Sequence, residues 1–225
     1  MSPRTVELMR TMVSRHLFIP VTSRSIEQYR RIEFPPECVP EWAVTTNGAF
    51  LLRHGQPDAA WQADAAALIA PWQPELQRLH DRLADDPRFI RCRIVDEAYL
   101  FVYCGRNAAP DKVAGELAGR TDLTVMVSGK KIYLLPPALN KATALERLKS
   151  RFACSVTICA GDSEMDLPML NAADHAIMPE ELAKVWKGYG TALVCPSGTL
   201  FSEFVFSRGL ELMSEPNGRH QDGSI

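Results

Sequence analysis

The sequence predicts an α/β fold, a parallel sheet with helices on its faces, interrupted by a smaller α+β module. Three observations carry this. From Asn140 onward, β-rich runs alternate with helical ones, a pattern that calls for parallel strands joined by helices. Between Phe89 and Leu135, two pairs of apolar runs flank short polar turns, the signature of antiparallel hairpins. The chain has 225 residues, 46% of them hydrophobic and 23% charged, enough to bury a sizeable core without disulfides or metal staples.

Taken in order, Val6, Leu8, Met9, Met12 and Val13 recur at helical spacing after Ser2, and Leu17 to Val21 reads as a buried strand ending in a polar loop, Thr22-Ser23-Arg24-Ser25. Ser25 is placed to cap a helix through Arg31. Glu41 to Thr46 reads as a strand stopped by a tight turn at Asn47-Gly48, and Phe50 to Leu52 as its return. A Pro- and Ala-rich linker follows, then a helix from Pro74 to Leu83. The hairpins are Phe89–Val95 with Ala98–Tyr103, and Leu123–Val127 with Lys131–Leu135; a helix from Asp111 to Ala118 lies between them. After them come a helix (Lys141–Arg151), a β-rich run (Ser155–Ala160), a helix (Met165–Leu170), strands at His175–Met178 and Thr191–Cys195, and a helix at Leu200–Leu210. The α/β core is therefore expected over 1–50 and 136–213, the inserted α+β module over 51–135, and a disordered tail over 214–225.

Charge and cysteine usage narrow the function classes. Lys and Arg number 25 against 27 Asp and Glu, a formal charge of -2, so no global field draws the chain to nucleic acid or an anionic membrane. The six cysteines are scattered without metal-ligand spacing and read as reduced core thiols. The apolar run Ala65–Trp72 is far short of the ~20 residues that span a bilayer. Charged residues interrupt the N-terminus too often for a secretory signal, so the cytoplasm is the default location. Neither dinucleotide nor P-loop glycine motifs occur.

In an open parallel sheet, reactive groups sit at the carboxyl ends of strands, and three polar clusters fall there. Thr22-Ser23-Arg24 offers hydroxyls and a guanidinium to phosphate oxygens. Lys141 starts a helix after Asn140 and would neutralise phosphate charge. In Gly161-Asp162-Ser163-Glu164-Met165-Asp166, the carboxylates of Asp162 and Asp166 stand four apart where a strand turns into a helix, which brings both to one side. Hard oxygen ligands of this kind suit a magnesium ion that also touches a substrate phosphate. Each cluster also has a plainer reading. The first is a loop with a helix cap, Lys141 a solvated helix start, and Asp162-Ser163 a cap with Asp166 favouring the helix dipole.

In order and spacing, Val21-Thr22-Ser23-Arg24, Thr46-Asn47-Gly48-Ala49, Asn140-Lys141-Ala142 and Gly161-Asp162-Ser163-x-x-Asp166-x-Pro168-Met169-Leu170 resemble the haloacid dehalogenase superfamily of phosphohydrolases. Within it the series looks like the Cof-type and sugar-phosphate phosphatase branch, over nearly the whole chain. The resemblance implies a Rossmann-like core with a large α+β cap, a small phosphorylated substrate such as a sugar phosphate or phosphoglycerate derivative, and Mg2+ as cofactor. It makes Thr22 and Lys141 catalytic, holding and steadying the phosphoryl group. Asp162, Asp166 and Ser163 become the metal-binding residues, and Ser23, Arg24, Asn47 and Gly48 substrate-binding, with Asn47 at the cap hinge. Six basic residues lie in or beside the expected cap: Arg53, Arg88, Arg91, Arg93, Lys130 and Lys131.

The sequence departs from the family pattern at Ser23, where a glycine is common, and at Met165, where many relatives carry asparagine. Family members also open on a strand ending in D-x-D-G-T, whose first aspartate attacks phosphorus, and this chain contains no D-x-D. The expectation is that the start given omits upstream residues of a longer gene product, and that without that aspartate the covalent route is closed. Two other classes follow: binding of a phosphorylated ligand without turnover, or an interaction protein whose sheet is completed by a strand from a second copy, a homodimer.

Overall fold

A computed structural model of the chain describes residues 1–214. Helix α1 (Pro3–Arg15) starts where the Ser2 hydroxyl accepts from the Thr5 amide at 3.0 Å, and its Leu8, Met9 and Met12 pack with Cys38 and Phe206. The buried strand expected at Leu17–Val21 reduces to one parallel bridge, Val21 to Val44, and Leu17 is 46% exposed. Pro20 has no amide to extend the ladder. The segment is instead tied down by hydrogen bonds from Val44 N to Pro20 O (2.7 Å), Thr22 N to Val44 O (2.9 Å) and Asn47 N to Thr22 O (3.0 Å). The helix expected through Arg31 is a single turn, α2 (Ile26–Tyr29), closed by a reciprocal cap between Ser25 and Gln28.

Strands β1 (Trp42–Thr45), β2 (Phe50–Arg53) and β3 (Gln56–Pro57) form an antiparallel sheet. Thr46, Asn47 and Gly48 join β1 to β2 with positive φ at all three, and a Cβ at Gly48 would meet Ala144 Cβ at 3.2 Å. What the sequence presents as a linker contains α3 (Ala59–Ile69), capped by Asp58 and burying Trp61, Ala65 and Ile69. Alanines on every side of that helix hide its period. Helix α4 (Gln73–Leu83) then leads into β4 (Phe89–Val95), β5 (Tyr99–Cys104), α5 (Pro110–Ala118), β6 (Thr124–Ser128) and β7 (Lys131–Leu135), with sheet order β4-β5-β7-β6, all antiparallel. One face of this sheet packs Leu100, Val102, Ile132 and Leu134 against Leu76, Leu79 and Leu83 of α4 and Val113 and Leu117 of α5.

Helix α6 (Lys141–Phe152) is followed by β8 (Ile158–Ala160), α7 (Leu167–Ala172), β9 (His175–Pro179), α8 (Glu180–Ala183), β10 (Thr191–Cys195) and α9 (Phe201–Ser214). The three strands are parallel in the order β10-β9-β8. β8 is shorter than the run from Ser155 suggests, because the Thr157 amide bonds the Asp174 carboxylate at 2.8 Å and Val156 is 40% exposed. Ser214 is the last residue of α9, where the tail was expected to begin; the rest of that expected tail, 215–225, lies outside the described residues. The fold is thus α/β, with a parallel layer and an antiparallel α+β layer.

All six cysteines are free thiols, and burial pushes Cys159 up to about 12. Among the described residues no helix is long and apolar enough to cross a membrane.

Candidate active site

Residues from all three polar clusters line two adjoining cavities, of about 580 Å³ and about 340 Å³. Thr22, Ser23, Lys141, Asp162 and Ser163 line both; Asp166 lines the larger and Arg24 the smaller. The larger lies between Leu17–Ser23 and β8, with α9 contributing Phe206 and Gly209 to its wall. Among the described residues β8 pairs with β9 alone, so its other edge borders this space.

The centre of the site is a loop folded around one carboxylate. Gly161 follows β8 and is held by its amide to Ile177 O at 3.1 Å; a Cβ there would fall on the Asp166 side chain. Asp166 Oδ2 accepts from the Asp162 amide (3.1 Å), the Ser163 amide (3.0 Å) and the Ser163 hydroxyl (2.8 Å). Asp166 Oδ1 faces the ammonium of Lys141 in a buried ion pair. Lys141 is the first residue of α6, after the N-cap Asn140 whose Oδ1 accepts from Thr143 N at 3.0 Å. A cation at a helix N-terminus opposes the helix dipole, and its burial adds a desolvation cost. Lys141 is 7% exposed, so the solvated-helix-start reading does not hold.

This geometry gives Asp166 and Ser163 tasks other than metal ligation. Both Asp166 oxygens are already engaged and the Ser163 hydroxyl is turned onto Asp166, so the capping interpretation is the better description of this pair. Asp162 is exposed, and among the described residues no side-chain partner holds its carboxylate. Magnesium often takes only one or two carboxylates beside phosphate oxygens and waters, so Asp162 alone meets the minimum. Among the described residues no group of three or more His, Cys, Asp or Glu is placed to hold a metal.

At the other wall, Thr22 Oγ1 accepts from the Arg24 amide at 3.2 Å, and Tyr99 donates its hydroxyl to Ser23 O at 2.8 Å. Asn47 and Gly48 line neither cavity. Asn47 is 2% exposed and donates its amide to Leu139 O at 2.9 Å, while Gly48 O accepts from Trp61 Nε1 at 3.0 Å, so both hold the β1–β2 turn against neighbouring elements instead of facing a ligand.

The smaller cavity reaches the antiparallel sheet on the face opposite α4 and α5. Arg93, Phe101 and Tyr133 stand directly opposite one another across β4, β5 and β7, and Tyr99, Ser128, Lys131 and Gln28 complete the wall. Burial pushes the Tyr133 phenol up, against the opposing influence of the Ser23 hydroxyl and Arg24. Of the six basic residues singled out in the sequence, Arg53 pairs with Glu41 at 2.9 Å and Arg88 with Asp86 and Glu116 at 2.8 and 3.1 Å; Arg93 and Lys131 reach the cavity. Sequence reasoning passed over Tyr99, Phe101 and Tyr133, although the period of two along β5 and β7 places them on the face of Arg93 and Lys131.

A family model described as haloacid dehalogenase-like hydrolase matches residues 90–181, a span containing Arg93, Lys131, Lys141 and the Asp162–Asp166 loop. Among curated proteins none matches. Among solved structures, the sucrose-phosphatase of Synechocystis sp. PCC6803 in complex with sucrose and phosphate is similar at TM-score 0.67 and 17% identity, over 93% of this chain and 92% of that one. The Thermoplasma acidophilum 0175 protein is similar at TM-score 0.61 and 15% identity, over 95% and 90%. A trehalose-6-phosphate phosphatase related protein follows at TM-score 0.57 and 17% identity, over 94% and 90%. Identities this low speak for the fold. The family match bears out the resemblance over residues 90–181, the span that holds the Asn140–Ala142 and Gly161–Leu170 segments.

Proposed function

We propose, from the premise that this chain is a haloacid dehalogenase-like protein, that it handles phosphate monoesters of small metabolites, sugar phosphates foremost, at the junction of its two cavities. One observation carries the reading: Thr22, Ser23, Lys141 and Asp162, from segments far apart in the chain, line both cavities. The hydroxyls of Thr22 and Ser23 and the guanidinium of Arg24 would hold phosphate oxygens. Lys141, fixed by Asp166, would supply a positive charge that needs no reorganisation when the ligand arrives. Asp162 would hold a magnesium ion, whose chemistry when bound is to neutralise phosphate charge. The antiparallel layer over 51–135 would act as the cap that covers the ligand and excludes water. The free thiols fit a reducing compartment, in keeping with a cytoplasmic location.

The covalent route that the resemblance implies uses a carboxylate nucleophile, and of the two carboxylates lining these cavities among the described residues Asp166 is locked and Asp162 is assigned to the cation. Binding is therefore the first test. Calorimetric titration with inorganic phosphate, with and without magnesium, should show saturable binding that Lys141→Met weakens at least tenfold. Absence of binding at 10 mM phosphate, about 2.7 kcal/mol on the affinity scale, overturns the reading. Release of phosphate from a panel of monoesters in magnesium then decides between turnover and binding alone. A second reading rests on the edge of β8 beside the larger cavity, which no strand pairs among the described residues and which would admit a strand from a second copy; sedimentation at several concentrations decides whether a homodimer forms.

A further inference from the structure

We infer that the smaller cavity holds a second anion site, formed by Arg93 and Lys131 of the antiparallel sheet, which selects phosphate monoesters whose alcohol carries another negative group, a carboxylate or a second phosphate. The inference rests on the phosphate reading above and adds the class of substrate. Its first support is an imbalance of charge. With Lys141 paired to Asp166, Arg24, Arg93 and Lys131 line this cavity against the single carboxylate of Asp162 among the described residues, in a chain whose formal charge is -2.

The second support is the state of Arg93. Arg78 of α4 bonds Glu75 at 2.7 Å, and Arg88, just before β4, bonds Asp86 and Glu116. Arg93 has no carboxylate within ion-pair reach among the described residues, its Nε is buried without a hydrogen-bond partner, and its guanidinium stands 5.9 Å from the Phe101 ring. A buried donor left unmatched is costly, and the guanidinium charge is left for a ligand anion to balance. Lys131 likewise has no ion pair among the described residues.

The third support is position. Thr22 follows the Val21 bridge, Asp162 lies in the loop after β8 and Lys141 opens α6, whereas Arg93 and Lys131 belong to β4 and β7. The register that aligns Arg93 with Phe101 and Tyr133, and sets Lys131 two residues from Tyr133, lays both cations on the sheet face that closes the cavity. A ligand whose phosphate lies at the Lys141 end therefore presents its alcohol portion to Arg93 and Lys131. Tyr99, Phe101 and Tyr133 flank that path, and a planar guanidinium there can meet a carboxylate or phosphate with two parallel hydrogen bonds.

The test is calorimetry on the whole chain with two matched pairs, glycerol 1-phosphate against 3-phosphoglycerate, and fructose 6-phosphate against fructose 1,6-bisphosphate, with inorganic phosphate as reference. The expected result is at least tenfold tighter binding of the second member of one or both pairs, the pair that responds identifying carboxylate or phosphate as the preferred group. In Arg93→Met and in the exposed Lys131→Met the ratio should fall to within twofold. Equal affinities within both pairs, or a ratio that persists in both variants, overturn the second anion site while leaving phosphate binding standing. Failure of inorganic phosphate itself to bind overturns the phosphate reading, and this inference with it.

Discussion

Lys141 and Asp166, 25 residues apart, meet as an ion pair whose side chains are 8% and 7% exposed. The two partners are not equivalent. Asp166 keeps three further donors, from the Asp162 and Ser163 amides and the Ser163 hydroxyl, whereas no other hydrogen bond or ion pair to the Lys141 ammonium is present among the described residues. Breaking a buried pair by removing one partner typically costs ~3–5 kcal/mol. Asp166→Leu strands a buried cation at a helix N-terminus and frees the 161–163 loop, so it should lie at the upper end of that range. Lys141→Met leaves a carboxylate that is still hydrogen-bonded and should lie at or below the lower end. Urea unfolding of both variants checks the order; Lys141→Met proving the more destabilising would refute this account.

Gly161 sets the shape of the same loop by having no side chain. An added Cβ would collide with Asp166, which cannot retreat without releasing Lys141 and two backbone amides. Gly161→Ala should therefore destabilise by about 1–3 kcal/mol, the range for overpacking. It should also weaken phosphate binding, because Lys141 loses its anchor. Gly115→Ala, in a helix with open space at the Cβ position, is the control and should be neutral or slightly stabilising. Comparable melting shifts in the two variants would contradict the argument.

Much of this arrangement is legible in the chain itself, and the exceptions have physical causes. The hairpins are readable because Phe89–Val95, Tyr99–Cys104, Thr124–Ser128 and Lys131–Leu135 bound short polar turns. Thr22, Lys141 and Asp162 are readable because strand ends place them together. Helix α3 is not readable, since Ala59–Ile69 presents apolar atoms all round and gives no period. Asn47 reads as ligand-facing only through the family resemblance; here the close approach of Ala144 to Gly48 and the bond from Asn47 to Leu139 O hold the turn against its neighbours. The difference between Asp162, open to the cavity, and Asp166, closed by four partners, cannot be seen in spacing, because it depends on which carboxylate meets Lys141.

The β4–β5 turn offers a contrast between neighbouring residues. Asp96 and Glu97 both have positive φ, at 47° and 57°, which strains any residue with a Cβ. Glu97 is exposed, and its contact in the structure is through its carbonyl, which accepts from Gln73. Glu97→Gly should therefore stabilise the chain, by up to ~1 kcal/mol. Asp96 carries the same strain, but its Oδ2 accepts from Thr46 Oγ1 at 2.5 Å and from Ile26 N at 3.3 Å, joining the hairpin to the β1–β2 turn and to α2. Asp96→Gly should destabilise by ~1–2 kcal/mol, as both donors lose a charged acceptor. Thermal melts of the two variants should shift in opposite directions; a fall in both would show that backbone strain does not govern the turn, and a rise in both that the Asp96 bonds do not outweigh it.

Acid sensitivity should concentrate at Asp174, which joins the entry of β9 to the residue before β8. Burial pushes this carboxyl up, but bonds from the Thr157 hydroxyl (2.7 Å) and amide (2.8 Å), with the charges of Lys149 and His175, outweigh it and hold the group below the usual carboxylate range. A carboxylate whose folded pKa lies below its unfolded value contributes its full stabilisation above the unfolded value, about 3.9, and loses it as pH falls through the folded one. Asp174 is exposed, so the contribution should not exceed about 1 kcal/mol. Asp174→Asn should unfold at lower urea than the unchanged chain by a constant margin from pH 7 to about pH 4, and that margin should close at lower pH, once the aspartate is protonated in both states. A margin that stays constant or widens as the pH drops to about 2.5, well below the unfolded value, would mean that the Thr157–Asp174 contact acts through shape and not through charge.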